Sequence, residues 1–139
     1  PTKNVPQGFA AALEFNPEAS VEENKTNMIH ALDNVKSGQV TYAVRNTSMN
    51  GFSIKQGDII GLDDKKILAK SSSVEETVLK LIAHMKEDSH QVITLYYGED
   101  VKEEEAAAVC QTIAEKYPDC DVDYHSGGQP VYYYIISLE

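Results

Sequence analysis

Residues 121–139 read DVDYHSGGQPVYYYIISLE, and the fold follows from how these nineteen positions are divided. Val131 to Leu138 is a nearly unbroken run of β-branched, aromatic and aliphatic residues. Val131, Tyr133 and Ile135 face one way, and Tyr132, Tyr134, Ile136 and Leu138 the other. Both faces are apolar, which predicts a strand inside a sheet and not at its edge. Upstream, Asp119, Asp121, Asp123 and His125 alternate with Cys120, Val122 and Tyr124. That period of two predicts a strand with one buried face and one wet, acidic face. Ser126-Gly127-Gly128-Gln129-Pro130 between them supplies glycines that accept positive φ and a proline that cannot donate to a ladder, so the chain must turn here. Direct pairing of the two strands does not follow from the pattern.

Working back from this end, Gly98-Glu99-Asp100 leads into a helix with Asp100 as expected N-cap and Glu103 at N3. Its predicted buried face is Ala106, Val109, Cys110, Ile113 and Tyr117, and Pro118 ends it. Gln91 to Tyr97 reads as a strand. Ser73-Val-Glu-Glu76 is a capping-box sequence opening a helix with Val74, Val78, Leu81, Ile82 and Met85 at helical spacing. Ile59 to Leu62 and Lys66 to Ala69 read as a hairpin joined through Asp63-Asp64-Lys65, and Gln39 to Thr47 as a strand. Ser20-Val-Glu-Glu23 is another capping box, and the helix it opens is expected to pack on the sheet through Val21, Met28, Ile29, Leu32 and Val35 before Gly38 ends it. A short helix over Pro6 to Phe15 precedes it. The sum is an α/β fold, one mixed β-sheet with packed helices in a two- or three-layer sandwich.

With 139 residues and 42% hydrophobic content the chain can bury one ordinary core and is expected to be a single domain. It starts at Pro1, and Pro1 to Val5 resembles the exit from an earlier strand, so a longer parent is expected. No stretch approaches the roughly 18 consecutive apolar residues that span a bilayer, which leads to an expectation of a soluble, cytoplasmic domain. Cys110 and Cys120 lack C-x-x-C spacing and fall on apolar faces, favouring reduced thiols. The net charge of −10, from 22 acidic and 12 basic residues, opposes nucleic-acid binding and docking on anionic membranes. A basic partner surface suits it better. No phosphate-binding glycine loop of the P-loop or Rossmann kind occurs.

A resemblance sharpens these expectations. The segment from His125 through Gly127, Gly128 and Pro130 to Glu139, together with Pro1–Gly8, Gly38–Arg45 and Tyr97–Val101, resembles the C-terminal domain of the ATP-binding subunit of bacterial fatty acid kinase. That family carries an N-terminal dihydroxyacetone-kinase-like domain. The resemblance implies that residues 1–139 are the C-terminal part of a longer protein with a DegV-like sheet. It implies a non-catalytic domain that docks the fatty-acid-binding partner protein, so that the parent's N-terminal kinase domain phosphorylates the bound acid to an acyl phosphate for phospholipid synthesis. ATP and Mg belong, on the same grounds, to that N-terminal domain, and no cofactor is expected in this fragment. The fragment is expected to be a monomer; the parent could form a dimer. The alternative is a fatty-acid-binding domain with the lipid between sheet and helices.

The candidate partner-binding residues are Arg45, Glu103, Glu104, Asp121, Asp123, His125, Gln129 and Tyr132. Arg45 is the only arginine in the chain; a lone arginine among so many carboxylates is more often a surface ion-pair partner, and it is kept as a candidate because it closes a family-like segment. Glu103 and Glu104 open the last helix and, with Asp121 and Asp123, are expected to merge into one negative field. Gln129 and Tyr132 would lend orientation and buried area from an exposed turn. His125 has no nucleophile at recognisable spacing, and alternate strand carboxylates lie roughly 7 Å apart, too far to share one metal shell.

Overall fold

The computed structural model describes residues 2–63 and 66–139. The expected turn at Asp64 and Lys65 lies outside the described residues. Among those described, the chain forms four helices and eight strands. The helices are α1 (Val5–Leu13), α2 (Val21–Asp33), α3 (Val74–Met85) and α4 (Glu103–Lys116). The strands are β1 (Lys36–Tyr42), β2 (Thr47–Met49), β3 (Phe52–Ile54), β4 (Ile59–Asp63), β5 (Lys66–Ser71), β6 (Val92–Tyr97), β7 (Asp121–Ser126) and β8 (Tyr134–Leu138). Six of them form a mixed sheet in the order β5-β4-β1-β8-β6-β7, and β2 and β3 make a separate small hairpin.

β8 is the central strand, hydrogen-bonded antiparallel to β1 and to β6. Its residues Tyr134, Ile136, Ser137 and Leu138 are all buried, as a run apolar on both faces requires. β7 does not pair with β8. It lies parallel to β6 at the sheet edge, joined by the α4 crossover that parallel strands need. The strand β8 begins three residues later than the apolar run suggests. Val131 adopts φ +72, a conformation a β-branched residue rarely accepts, and Tyr133 N–H is spent on the Val40 carbonyl at 2.9 Å. The chain has to swing from the edge, over the end of β6, into the middle of the sheet, and residues 127–133 are consumed in that turn.

The main core lies between one sheet face and α3 and α4. Val40, Leu81, Ile82, Ile93, Leu95, Ile113, Ile136 and Leu138 are fully buried there. Gly38 does not end α2, which stops at Asp33 with Asn34 as C-cap. It lies in β1 beneath α3, where a Cβ would meet Met85 Sδ at 2.6 Å and Leu81 Cδ2 at 3.0 Å. The missing side chain is what lets α3 approach the strand so closely.

α2 has the capping box the sequence predicts: Ser20 Oγ accepts from Glu23 N–H, and Glu23 Oε2 accepts from Ser20 N–H. The helix nevertheless packs chiefly on α1 and not on the sheet, leaving Val21 and Ile29 exposed. The buried Asn24 ties the α1–α2 connection, donating to the Asn16 and Ala19 carbonyls and accepting from Asn16 N–H. α1 in turn reaches the second face of the sheet through Phe9, whose ring lies parallel to that of Tyr96 at 6.2 Å between centroids. The helices therefore lie on both faces, giving a three-layer arrangement with a sparse third layer. Both cysteines are free thiols; burial pushes the Cys110 thiol up.

Candidate docking surface

α1 turns its small residues inward and its large ones out. Pro6 and Ala11 are buried, while Val5, Phe9 and Leu13, four residues apart and therefore on one helical stripe, are exposed, Leu13 to 82%. The stripe leaves apolar side chains facing water along one side of the helix. Beneath Phe9, a groove of about 560 Å³ runs between α1 and the sheet edge. Its walls are Val5, Phe9, Tyr96 and Ile135 on the apolar side and His125, Gly127 and Gln129 on the polar side.

Strand alternation sets what faces this groove. Val122 and Tyr124 of β7 pack toward the α4 core, so Asp121, Asp123 and His125 project from the opposite face. His125 lies 6.0 Å from the Tyr96 ring, and its Nε2 is 3.3 Å from Asp123 Oδ2. Burial, followed by the Glu139 and Asp123 charges, pushes the Tyr96 phenol up. The 127–133 turn is stapled from within: Gln129 Nε2 donates to the Tyr96 carbonyl at 2.9 Å and to the Tyr132 carbonyl at 3.3 Å. The Gln129 carbonyl accepts from Glu99 N–H, and the strained Val131 carbonyl accepts from Thr41 Oγ1 at 2.8 Å. These bonds hold Val131 in a conformation costing of order 1–3 kcal/mol.

The predicted residues divide accordingly. Asp121, Asp123 and His125 share one face of the edge strand, but of the three only His125 lines the groove, and Tyr132 is exposed on the turn. Gln129 is half-buried and serves to brace the turn, where an exposed contact residue was expected. Glu103 and Glu104 do not join the β7 carboxylates in one field. They start α4 on the other face of the sheet, and because α4 runs back along the two parallel strands it connects, Glu103 and Asp121 are separated by the helix length of about 20 Å. That exceeds the screening distance of about 8 Å at physiological salt. α4 also starts later than expected, with Lys102 as N-cap and Glu105 Oε2 accepting from Lys102 N–H at 3.2 Å. Arg45 is exposed in the β1–β2 connection and makes no ion pair among the described residues. Val5, Phe9 and Tyr96 were absent from the sequence candidates. The Val5-Phe9-Leu13 spacing was the available sign, but only the position of α1 beside β7 turns it into a groove wall.

Among the described residues no helix is long and apolar enough to cross a membrane. The chain is 41% identical over 139 residues to Protein YloV of Bacillus subtilis (strain 168), and 40% identical over 139 residues to an uncharacterized protein of Staphylococcus aureus (strain MRSA252). It is 37% identical over the same length to a further uncharacterized protein of Staphylococcus haemolyticus (strain JCSC1435). In each case the whole chain is covered and 25% of the relative, so the chain spans about a quarter of their length. The family model for the C-terminal region of FakA-like fatty acid kinase proteins matches residues 1–139, and the chain belongs to that family.

Proposed function

We propose that this domain docks a fatty-acid-carrying protein and presents it to the kinase domain of the whole parent, which forms the acyl phosphate with ATP and Mg. The observation that carries the reading is the groove under Phe9: an apolar centre of Val5, Phe9, Tyr96 and Ile135 bordered by His125, whose Nε2 lies 3.3 Å from Asp123 Oδ2 on the acidic β7 face. Recognition surfaces share that plan, an apolar patch with a polar rim that steers the encounter. The domain's own role in this reading is positioning, with the chemistry carried out elsewhere in the parent. Retention of a fatty acid in the groove itself is the weaker reading, since the lining includes neither lysine nor arginine to meet a carboxylate.

The test is a stopped-flow and equilibrium titration of the chain against the fatty-acid-loaded carrier protein. Phe9→Glu should abolish the complex without unfolding the domain. Asp121→Lys with Asp123→Lys should slow association, most strongly at low ionic strength, whereas Glu103→Lys with Glu104→Lys should slow it less. Failure of the unaltered chain to bind the loaded carrier at low salt would remove the proposal.

A further inference from the structure

On the opposite face from the groove, the first turns of α3 and α4 converge on a cleft of about 340 Å³. Val74, Val101 and Val109 form its apolar walls, and Glu75, Asp100 and Glu105 bring three carboxylates to it. Glu75 accepts from Thr112 Oγ1 and Glu105 from Lys102 N–H, which fixes both, while Asp100 makes no hydrogen bond among the described residues. None of the three has an ion-pair partner among the described residues. Their charge outweighs the two helix N-termini, each worth about half an elementary positive charge.

Tyr134 closes the cleft from below. Its side chain is 1% exposed, it lines the cleft, and its phenol makes no hydrogen bond among the described residues. Among the described residues the sealed side-chain atom without a partner is Ser37 Oγ alone, so the Tyr134 oxygen opens to the cleft, where it can accept from an entering donor. Burial, and then the Glu105 and Glu75 charges, push it up to about 12, so it remains a neutral phenol. No three His, Cys, Asp or Glu side chains among the described residues converge as metal ligands. The arrangement of apolar walls, a phenol acceptor at the base and carboxylates around it matches a long aliphatic stem with a planar, many-donor cationic head.

We propose that this cleft receives an arginine side chain presented by a protein partner. The guanidinium donates to Tyr134 Oη and to the Asp100 and Glu75 carboxylates, while the stem lies along Val74, Val101 and Val109. The fork of five donors suits several acceptors at once better than the compact ammonium of lysine. The inference does not depend on the groove reading, because the two sites lie on opposite faces of the sheet.

The experiment is an amide NMR titration of the chain with N-acetyl-arginine-methylamide. The citrulline analogue, equal in shape but uncharged, serves as control. Expected are saturable shifts confined to Val74, Glu75, Val101 and Val109, absent with citrulline. Asp100→Asn with Glu75→Gln should weaken binding at least about fivefold, as removal of charged acceptors does. Tyr134→Phe should weaken it measurably while leaving the unfolding midpoint within error. No shifts at saturating arginine derivative, equal shifts from citrulline, or Arg45-dependent self-association filling the cleft from a second copy would each overturn the proposal. Loss of carrier binding in the Phe9→Glu protein with arginine titration intact would leave it standing, which separates its failure from that of the docking reading.

Discussion

Gly98 is the position at which the turn carrying Tyr132 is most sharply tested. A Cβ there would lie 2.2 Å from the Tyr132 carbonyl oxygen and 2.6 Å from that of Gln129. Both obstacles are backbone, so no rotamer change relieves them. Forcing atoms into a packed site costs about 1–3 kcal/mol. The displacement would also strain Gly98 N–H to the Tyr133 carbonyl at 2.9 Å and Glu99 N–H to the Gln129 carbonyl at 3.1 Å. Each such bond contributes about 0.5–1.5 kcal/mol net, so Gly98→Ala should destabilise by about 3 kcal/mol in all. Gly127→Ala makes a tighter overlap on paper, 1.9 Å from Gln129 Oε1, but that atom is the end of a flexible side chain. The Gln129 side chain should swing away at the loss of the bonds its Nε2 donates to the Tyr96 and Tyr132 carbonyls, about 1–2 kcal/mol together. Gly8→Ala, in a helix with nothing within 4 Å, should stabilise by about 0.5–1 kcal/mol. Urea unfolding of the three variants followed by circular dichroism gives the ranking. A Gly98→Ala protein within about 0.5 kcal/mol of the parent would refute the reasoning, since surface-like changes fall in that range.

Ser37→Ala should raise stability, by about 1 kcal/mol, because its buried hydroxyl has no hydrogen-bond partner among the described residues; a loss in the same unfolding assay would show an unseen partner. Asn24→Ala should cost about 1–3 kcal/mol by stranding the Asn16 and Ala19 backbone groups, and hydrogen exchange should quicken in α1 before the β8 core. His90 is buried with Nδ1 accepting from Glu87 N–H at 2.9 Å; burial, then the Lys36 charge, lowers it below its usual 6.5. The unfolded chain therefore takes up the proton first, and stability falls as pH drops below about 6.5. His90→Asn, which keeps an acceptor but does not titrate, should flatten that slope above pH 5; an unchanged slope would assign it to other groups. Glu23, Asp58, Glu76 and Glu87 are lowered chiefly by side-chain hydrogen bonds, and their loss appears only below about 4.5, as the unfolded carboxylates protonate.

Local chemistry was enough to identify nearly every element. Period-two alternation marked β7, the doubly apolar run marked β8 as interior, and capping residues placed the starts of α2 and α3, because each of these depends on neighbours within a few positions. What a stripe packs against depends on the whole chain. The apolar residues of α2 met α1 and solvent in place of the sheet, and Gly38, read as a helix stop, proved to be the space α3 needs. The same holds for the surface. Asp121, Asp123 and His125 were legible as one wet face, since alternation alone puts them there. Their separation from Glu103 and Glu104 was not legible, because it requires knowing that α4 covers the other face of its strands. The groove under Phe9 and the unpartnered Tyr134 phenol likewise exist only through residues distant in sequence, brought together by burying a core that no single segment contains.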